Sequence, residues 1–527
     1  MSVDCVSKVI ENLKSKSSSG KDRLSNKLLK FIKEEISKPF TLIVNQILTT
    51  GIFPEKLKVA KVIPIFKKGE NYIFDNYRPV SLLPSLSKVI EKIMYVQLYD
   101  YFSINKLLYE SQYGFRSKHS TELAALELID QIVSRMDKNE TPINIYLDLS
   151  KAFDTLDHNI LLHKLKYYGL TNISLKLLTN YLTDRQQYVE FDDVLSDFMV
   201  IQTGVPQGSI LGPLLFIIYL NDIVKATRLF HPIIYADDTA LSATLNSFYH
   251  ENAYYVDRIN EELDSINDWF LLNKLSINVN KTKAMLFHDP RKKLNEIKIM
   301  INGTEIEFVN NFNYLGIILD SNLSWKFHIK MISQKISKSI CIINRLKNIV
   351  PTSVLQTLYN TLIAPHLSYG ILAWGIQSKK LFKLQKRAVR IIVNAKYNAH
   401  TDPIFKQQFL LKISDLCALQ ELKFVFKLIN NSGLPCYFLN LQLRRHSDIH
   451  SYNTRHAEQL RPLQSHHAFM KNSICFRVPV IFNSCPDPIK QKIYTHSLQG
   501  FSRYIKSYFI DSYSNECQIA NCYICQQ

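Results

Sequence analysis

Asp237 and Asp238 stand side by side in YADD, between the apolar run HPIIYA and the segment TALSA. Alone, two adjacent aspartates in the bend of a hairpin are ordinary turn chemistry. A second β-branched run, INIYLDL (143–149), reads as a strand and delivers Asp148 at its C-terminal end, 89 positions before Asp237. If the two strands lie side by side, three like charges converge, raise one another's pKa and oppose folding. A divalent cation removes the conflict. Carboxylate oxygens suit Mg²⁺, which keeps sites for phosphate oxygens, with Mn²⁺ as a substitute. Two such ions roughly 3.5–4 Å apart activate an attacking 3′-hydroxyl and steady a leaving pyrophosphate. The implied chemistry is nucleotidyl transfer, with Asp148, Asp237 and Asp238 as metal ligands.

The neighbours of these carboxylates fit that chemistry. Phe153 follows Asp148 by five positions; its ring is either core packing or a wall against the 2′ side of an incoming sugar. Between the acidic runs comes GVPQGSILGPLL, where Gly204, Pro206 and Gly208 permit a tight turn before a helix. Bare backbone and a helix N-terminus let a nucleotide or template approach, and Gln207 offers an amide to a base or sugar. Upstream, Lys67, Lys68 and Arg78 bracket a loop that could fold over a triphosphate, Arg78 giving a forked contact.

Positioning these groups requires a mixed set of elements. Residues 1–57 read as helical and basic, broken at Ser17, Ser18, Ser19 and Gly20. VAKVIPIF and the segment from Tyr77 to Leu83 read as a strand and its return. Apolar spacing predicts helices over 85–102 and 120–136, and Asp157 is placed to cap the helix that follows. Short strands are expected at 186–191 and 198–203, a long apolar helix from Ser209, and a strand pair centred on Asp237 and Asp238. From Trp325 amphipathic helices are expected at 325–347, 352–363 and 378–395. The irregular order of strands and helices implies an α+β fold. Beyond about 410 the chain is rich in His, Arg and Tyr, and no fold is read there.

An excess of 64 Lys and Arg over 46 Asp and Glu, spread along the chain, suits a polyanionic partner. The N-terminus lacks the apolar stretch of a signal peptide. Pro213 to Leu220 is the longest apolar run, far short of the ~20 residues a membrane helix needs. A soluble, intracellular protein, cytoplasmic or nuclear, is therefore expected, with no membrane partner. Nine cysteines, mostly isolated, make no disulfide framework. Cys517, Cys522 and Cys525 have ligand-like spacing for zinc but show no fourth ligand. Nothing in the sequence reads on oligomeric state.

Taken in order, PIFKKGENYIFDNYRPVSLL, YGFRSKHSTELAAL, YLDLSKAFDTLDH, GVPQGSILGPLLFIIYLNDI, YADDTAL, LSINVNKTKAMLF and FNYLGIIL resemble the successive blocks of reverse transcriptases. The variety most resembled is that of jockey-type non-LTR retrotransposons, over about residues 58 to 320. The resemblance implies a right-hand polymerase of fingers, a palm with an antiparallel sheet, and a helical thumb. It makes Asp148, Asp237 and Asp238 catalytic carboxylates and Phe153 the sugar gate. Gln207 and Gly208 fall in the template-and-nucleotide block. Lys281 or Lys283 would assist pyrophosphate departure, and Tyr314, Leu315 and Gly316 would grip the primer end. The assignment of Lys67 or Lys68 is looser.

The implied organisation is an N-terminal helical extension (1–57), fingers and palm (58–320), a thumb (321–410) and a mostly helical C-terminal region of unassigned function (411–527). The implied partners are an RNA template, a DNA primer or target and deoxyribonucleoside triphosphates. Relatives of this kind carry an endonuclease ahead of the polymerase, and residues 1–57 are too short for one, so target cleavage is not expected from this chain. SSSGKDRLSNKLLK is similar to a worn form of the family's linker, so a truncated copy is one reading. A catalytically inactive nucleic-acid-binding remnant is the alternative function.

Overall fold

The computed structural model describes every residue except 151, 193, 246–251, 292–296, 442–444, 449–458, 463–466 and 515–527, and the backbone alone at 252–254, 468 and 469. Cys517, Cys522 and Cys525, and most of HSYNTRHAEQLRP, lie outside the described residues.

The strand Thr141–Leu147 is buried along its whole length, the signature of a strand covered on both faces. Its side chains alternate between two cores. Ile143, Ile145 and Leu147 enter one, and Tyr146 enters the other. The strand is the middle of a five-stranded sheet, ordered Glu307–Phe308, Lys283–Leu286, Thr141–Leu147, Asp238–Leu245 and His231–Tyr235. All pairings are antiparallel except that of Glu307–Phe308 with Lys283–Leu286. The strand expected over 143–149 thus stops short of Asp148. Beyond Leu147 the backbone leaves the double cover and turns to the segment Ser276–Asn278, through a bridge between Leu149 and Ile277.

A second sheet lies in the N-terminal half. Val59–Phe66 pairs antiparallel with Tyr77–Leu82 and parallel with Arg185–Phe191. Arg185–Phe191 in turn carries Val194–Leu195 and Met199–Ile201. The strand expected at 198–203 is only Met199–Ile201, because Thr203 bridges to Asp157 and Gly204 donates to the Leu156 carbonyl. Helices Ser85–Ile104 and Thr121–Asp137 lie where apolar spacing puts them, and Asp157 caps His158–Tyr167 by accepting the Ile160 N–H at 3.0 Å. The apolar helix is Gly212–Leu220, buried nearly all round. It starts later than Ser209 because Ser209 turns back onto Pro206 and caps Gly212 from outside the helix.

Packing crosses the boundaries expected at 57 and 410. Val6, Ile10, Val44 and Ile47 share the core that holds Leu147. Helices Lys326–Leu346 and Lys379–Ile392 share the other core with Ile413–Ile429, Ile474–Ser484 and Leu498–Asp511. A buried carboxylate ties this region to the sheet's cover: Asp130 of Thr121–Asp137 accepts from Ser473 Oγ (2.6 Å), Tyr437 OH (3.0 Å) and Cys475 Sγ (2.8 Å). The fold is thus a mixture of helices and mixed sheets, with helix in the majority. Among the described residues no helix is long and apolar enough to cross a membrane.

One buried charge sets the approach to the loop at 204–211. Glu91, fully buried in Ser85–Ile104, accepts the Ile210 N–H at 2.7 Å and the Tyr181 hydroxyl at 3.1 Å. Burial pushes its carboxyl up, while Arg185 and these donors pull it back. Glu91→Ala would orphan both donors, and a loss of roughly 1–3 kcal/mol in unfolding free energy is expected. Urea melts check this; an unchanged midpoint would mean the carboxylate supports nothing.

Candidate active site

Two residues, Ala236 and Asp237, reverse the chain between His231–Tyr235 and Asp238–Leu245, with Tyr235 paired to Asp238. Ala236 has φ +57°, which suits a two-residue hairpin turn but strains a residue bearing a Cβ. Register then does the positioning. Leu147 faces Thr239, so Asp148, the next residue along, falls level with Asp238. The Asp148 backbone is fixed from the far side, its carbonyl accepting the Asn278 N–H at 2.8 Å.

Asp238 feels the other two carboxylates. Loss of hydration, then the charges of Asp237 and Asp148, push the Asp238 carboxyl up to about 6. Crowded like charges of this kind are what a divalent cation relieves. Lys281 places its ammonium 3.7 Å from Asp148 Oδ2. Lys283 is committed elsewhere, to Glu307 at 2.6 Å and the Asn280 carbonyl at 2.8 Å, so of the two expected lysines only Lys281 faces the acids. Among the described residues no group of three or more His, Cys, Asp or Glu side chains is already placed to hold a metal ion. An open set of carboxylates is the usual protein share of a Mg²⁺ site completed by water and phosphate.

Around the acids, Phe153 stacks on Phe216 (centroids 4.2 Å apart) and meets Phe115 edge-on at 6.2 Å. It is half-buried. Gln207 does not present a free amide, since its Nε2 donates to both oxygens of Asp154 at 2.9 and 3.0 Å. Gly208, at φ +139°, lies hard against the Ser81 carbonyl, where a Cβ would collide, and the Ser81 N–H donates to the Gln207 carbonyl at 2.8 Å. The bare backbone expected to admit a nucleotide instead joins the loop to the strand Tyr77–Leu82. Arg78 is on that strand, and Lys67 and Lys68 lie at the end of its partner; all three are exposed. Tyr314 is buried at the end of Asn311–Tyr314, close enough for the Asp238 charge to bear on its hydroxyl. Leu315 and Gly316 turn the hairpin with φ +47° and +84°, and the Tyr369 hydroxyl donates to the Leu315 carbonyl.

Residues 65–319, which span this whole arrangement, match the family model described as "Reverse transcriptase (RNA-dependent DNA polymerase)". They form a reverse transcriptase domain. Similar proteins include the "RNA-directed DNA polymerase from mobile element jockey" of Drosophila melanogaster, 29% identical over 425 residues, covering 78% of this chain and 46% of that protein. The "Probable RNA-directed DNA polymerase from transposon BS" of the same fly is 32% identical over 419 residues, covering 74% and 45%. A third, from transposon X-element, is 27% identical over 429 residues, covering 78% and 46%. These likenesses put the domain with the jockey-like non-LTR reverse transcriptases. The chain spans less than half the length of these relatives.

Several groups that shape the candidate site carry no signal in local sequence. Thr282, whose Oγ1 lies 3.4 Å from the Asp148 N–H, and Asp154, which holds Gln207, both act across long sequence separations. Gln112 and Gly114, packed behind the turn, were within reach: a Gln and a Gly flanking Tyr113 mark a tight backbone approach. The Gly208 contact gives a direct check. Gly208→Ala must push the loop off Ser81, and a loss of roughly 1–3 kcal/mol is expected. A thermal melt equal to that of the unaltered chain would show that the loop makes no such contact.

Proposed function

We propose that this chain is an RNA-directed DNA polymerase, extending a DNA primer along an RNA template with deoxyribonucleoside triphosphates. The observation that carries the reading is the meeting of Asp148, Asp237 and Asp238 at one end of a doubly covered sheet, inside the stretch that matches the reverse transcriptase family. The inactive-remnant reading has less support, since Asp148, Asp237 and Asp238 are all present and the Asp148 carbonyl keeps its bond to the Asn278 N–H.

In this reading the sheet around Thr141–Leu147 is the palm, the Val59–Phe66 sheet belongs to the fingers, and the basic helices Lys326–Leu346 and Lys379–Ile392 form a thumb that holds duplex through phosphates. The expected units, 1–57, 58–320, 321–410 and 411–527, then serve one body. Asp148, Asp237 and Asp238 would hold Mg²⁺. When bound, a pair of such ions makes the 3′-hydroxyl a better nucleophile and stabilises charge on the departing pyrophosphate. Lys67, Lys68 and Arg78, exposed beside the loop, would receive the triphosphate. Lys281, beside Asp148, is placed to offset charge or give a proton as pyrophosphate leaves. The Phe153 ring would exclude a 2′-hydroxyl. Tyr314, Leu315 and Gly316 would set the primer end, with the Leu315 carbonyl kept in place by Tyr369.

Primer extension on an RNA template is expected to require Mg²⁺ or Mn²⁺, and Asp237→Ala should lower it about a hundredfold or more. A folded chain that extends no primer, or an Asp237→Ala protein of undiminished rate, would overturn the polymerase reading. Phe153→Ala should relax sugar selection, raising the relative kcat/KM for ribonucleotides about tenfold or more; an unchanged ratio would return Phe153 to core packing.

A further inference from the structure

The Ala236–Asp237 turn is gripped from outside its own hairpin. Ser111–Tyr113 runs alongside the strand His231–Tyr235: the Ile234 N–H donates to the Ser111 carbonyl at 2.9 Å and the Tyr113 N–H to the Ile234 carbonyl at 2.7 Å. Gln112, 1% exposed, thereby reaches the turn. Its side-chain oxygen accepts two backbone N–H groups, Gly114 at 2.8 Å and Ala236 at 3.3 Å. Two donors on one atom fix which end of the amide is the oxygen. Gly114 completes the grip, because a Cβ there would collide with the Ala236 nitrogen.

The gripping segment is itself anchored. Fully buried Glu127 accepts from Ser111 Oγ at 2.8 Å, Gln131 Nε2 at 3.1 Å and the Tyr113 hydroxyl, and lies 3.0 Å from His231 Nε2. One carboxylate thus ties the helix Thr121–Asp137, the Ser111–Tyr113 segment and the first residue of the turn's own strand. A residue bearing a Cβ stays in the left-handed region only where its surroundings over-determine it, and a buried N–H without an acceptor is costly. Gln112 meets both demands at Ala236.

We propose that Gln112 is a positioning residue, whose side-chain oxygen holds the Ala236–Asp237 turn in the conformation that presents Asp237 and Asp238. The proposal rests on the reading of those aspartates as the reactive pair. Gln112 itself need touch neither nucleotide nor metal. Its loss should loosen the turn without unfolding the sheet, and displacement of reacting groups by about 1 Å can cost about a hundredfold in rate.

The test is Gln112→Met, of similar size with only a weakly accepting thioether in place of the amide oxygen, in the full chain, with amide hydrogen exchange and steady-state kinetics measured together. Exchange in the peptide spanning Ile234 to Ala240 should rise about fivefold to tenfold, with the helix Gly212–Leu220 unchanged. On an RNA template with a DNA primer, kcat should fall about tenfold or more while KM for the triphosphate stays within about threefold. Gly114→Ala, which presses on the same contact from the backbone side, should raise exchange in the same peptide. Unchanged exchange in the turn would overturn the clamp, and raised exchange with unchanged kcat would overturn its catalytic consequence. General loss of protection across both regions would mark Gln112 as ordinary core and overturn the proposal too. A wild-type chain that extends no primer would sink the polymerase reading and the catalytic part with it, while exchange still decides whether Gln112 holds the turn.

Discussion

Mutual repulsion among three carboxylates is the constraint to which the rest of the structure answers. Two unit charges 4 Å apart interact by roughly 4 kcal/mol at the effective dielectric of a protein surface, so bringing Asp148 level with Asp238 opposes folding. Covering the central sheet on both faces supplies the opposing term. Ile143, Ile145 and Leu147 on one side and Tyr146 on the other lock the register, and a slip of one residue would exchange the two faces. The same register that buries these side chains holds Asp148 beside the turn. Stability and site geometry therefore come from a single set of contacts.

The regions flanking the sheet act as braces. Helices from the first fifty residues fill the core under Leu147, and the C-terminal helices complete the other core, tied through Asp130 to Ser473, Tyr437 and Cys475. Tyr369 joins two places at once, its hydroxyl meeting the Leu315 carbonyl and Thr121 Oγ1. The Glu122 carboxylate accepts the N–H of the neighbouring Gly370 at 2.6 Å. The turn proposed to set the primer end is thus fastened to the helix that also anchors the segment behind Asp237 and Asp238. The proposed primer-end turn and the proposed metal-holding acids therefore share one support.

What was legible in the sequence was local. Asp237 and Asp238 declare themselves because acid residues interrupt two apolar strands, and the alternation in INIYLDL exposes a strand whose end carries an acid. Asp157 could be read as a cap from its place before an apolar run, and the structure keeps it there. Phe153 admits either core packing or a sugar contact in the sequence, and the structure shows its ring stacked on Phe216. Long-range partners were not legible. Nothing near Gln207 announces that Asp154 takes its amide, and nothing near Lys283 announces Glu307. The bridge from Leu149 to Ile277 ends the central strand before Asp148, a limit set by a segment more than a hundred residues away. Beyond 410 the His-, Arg- and Tyr-rich composition carried no legible periodicity, although Ile413–Ile429, Ile474–Ser484 and Leu498–Asp511 are helices whose apolar residues enter the core.

The most direct test of the central claim is an anomalous difference map from crystals of the chain grown with RNA template, DNA primer, triphosphate and Mn²⁺. Two peaks roughly 3.5–4 Å apart, in contact with the carboxylates of Asp148, Asp237 and Asp238, are predicted. Manganese elsewhere, or none at these three side chains with the triphosphate bound, would contradict the account.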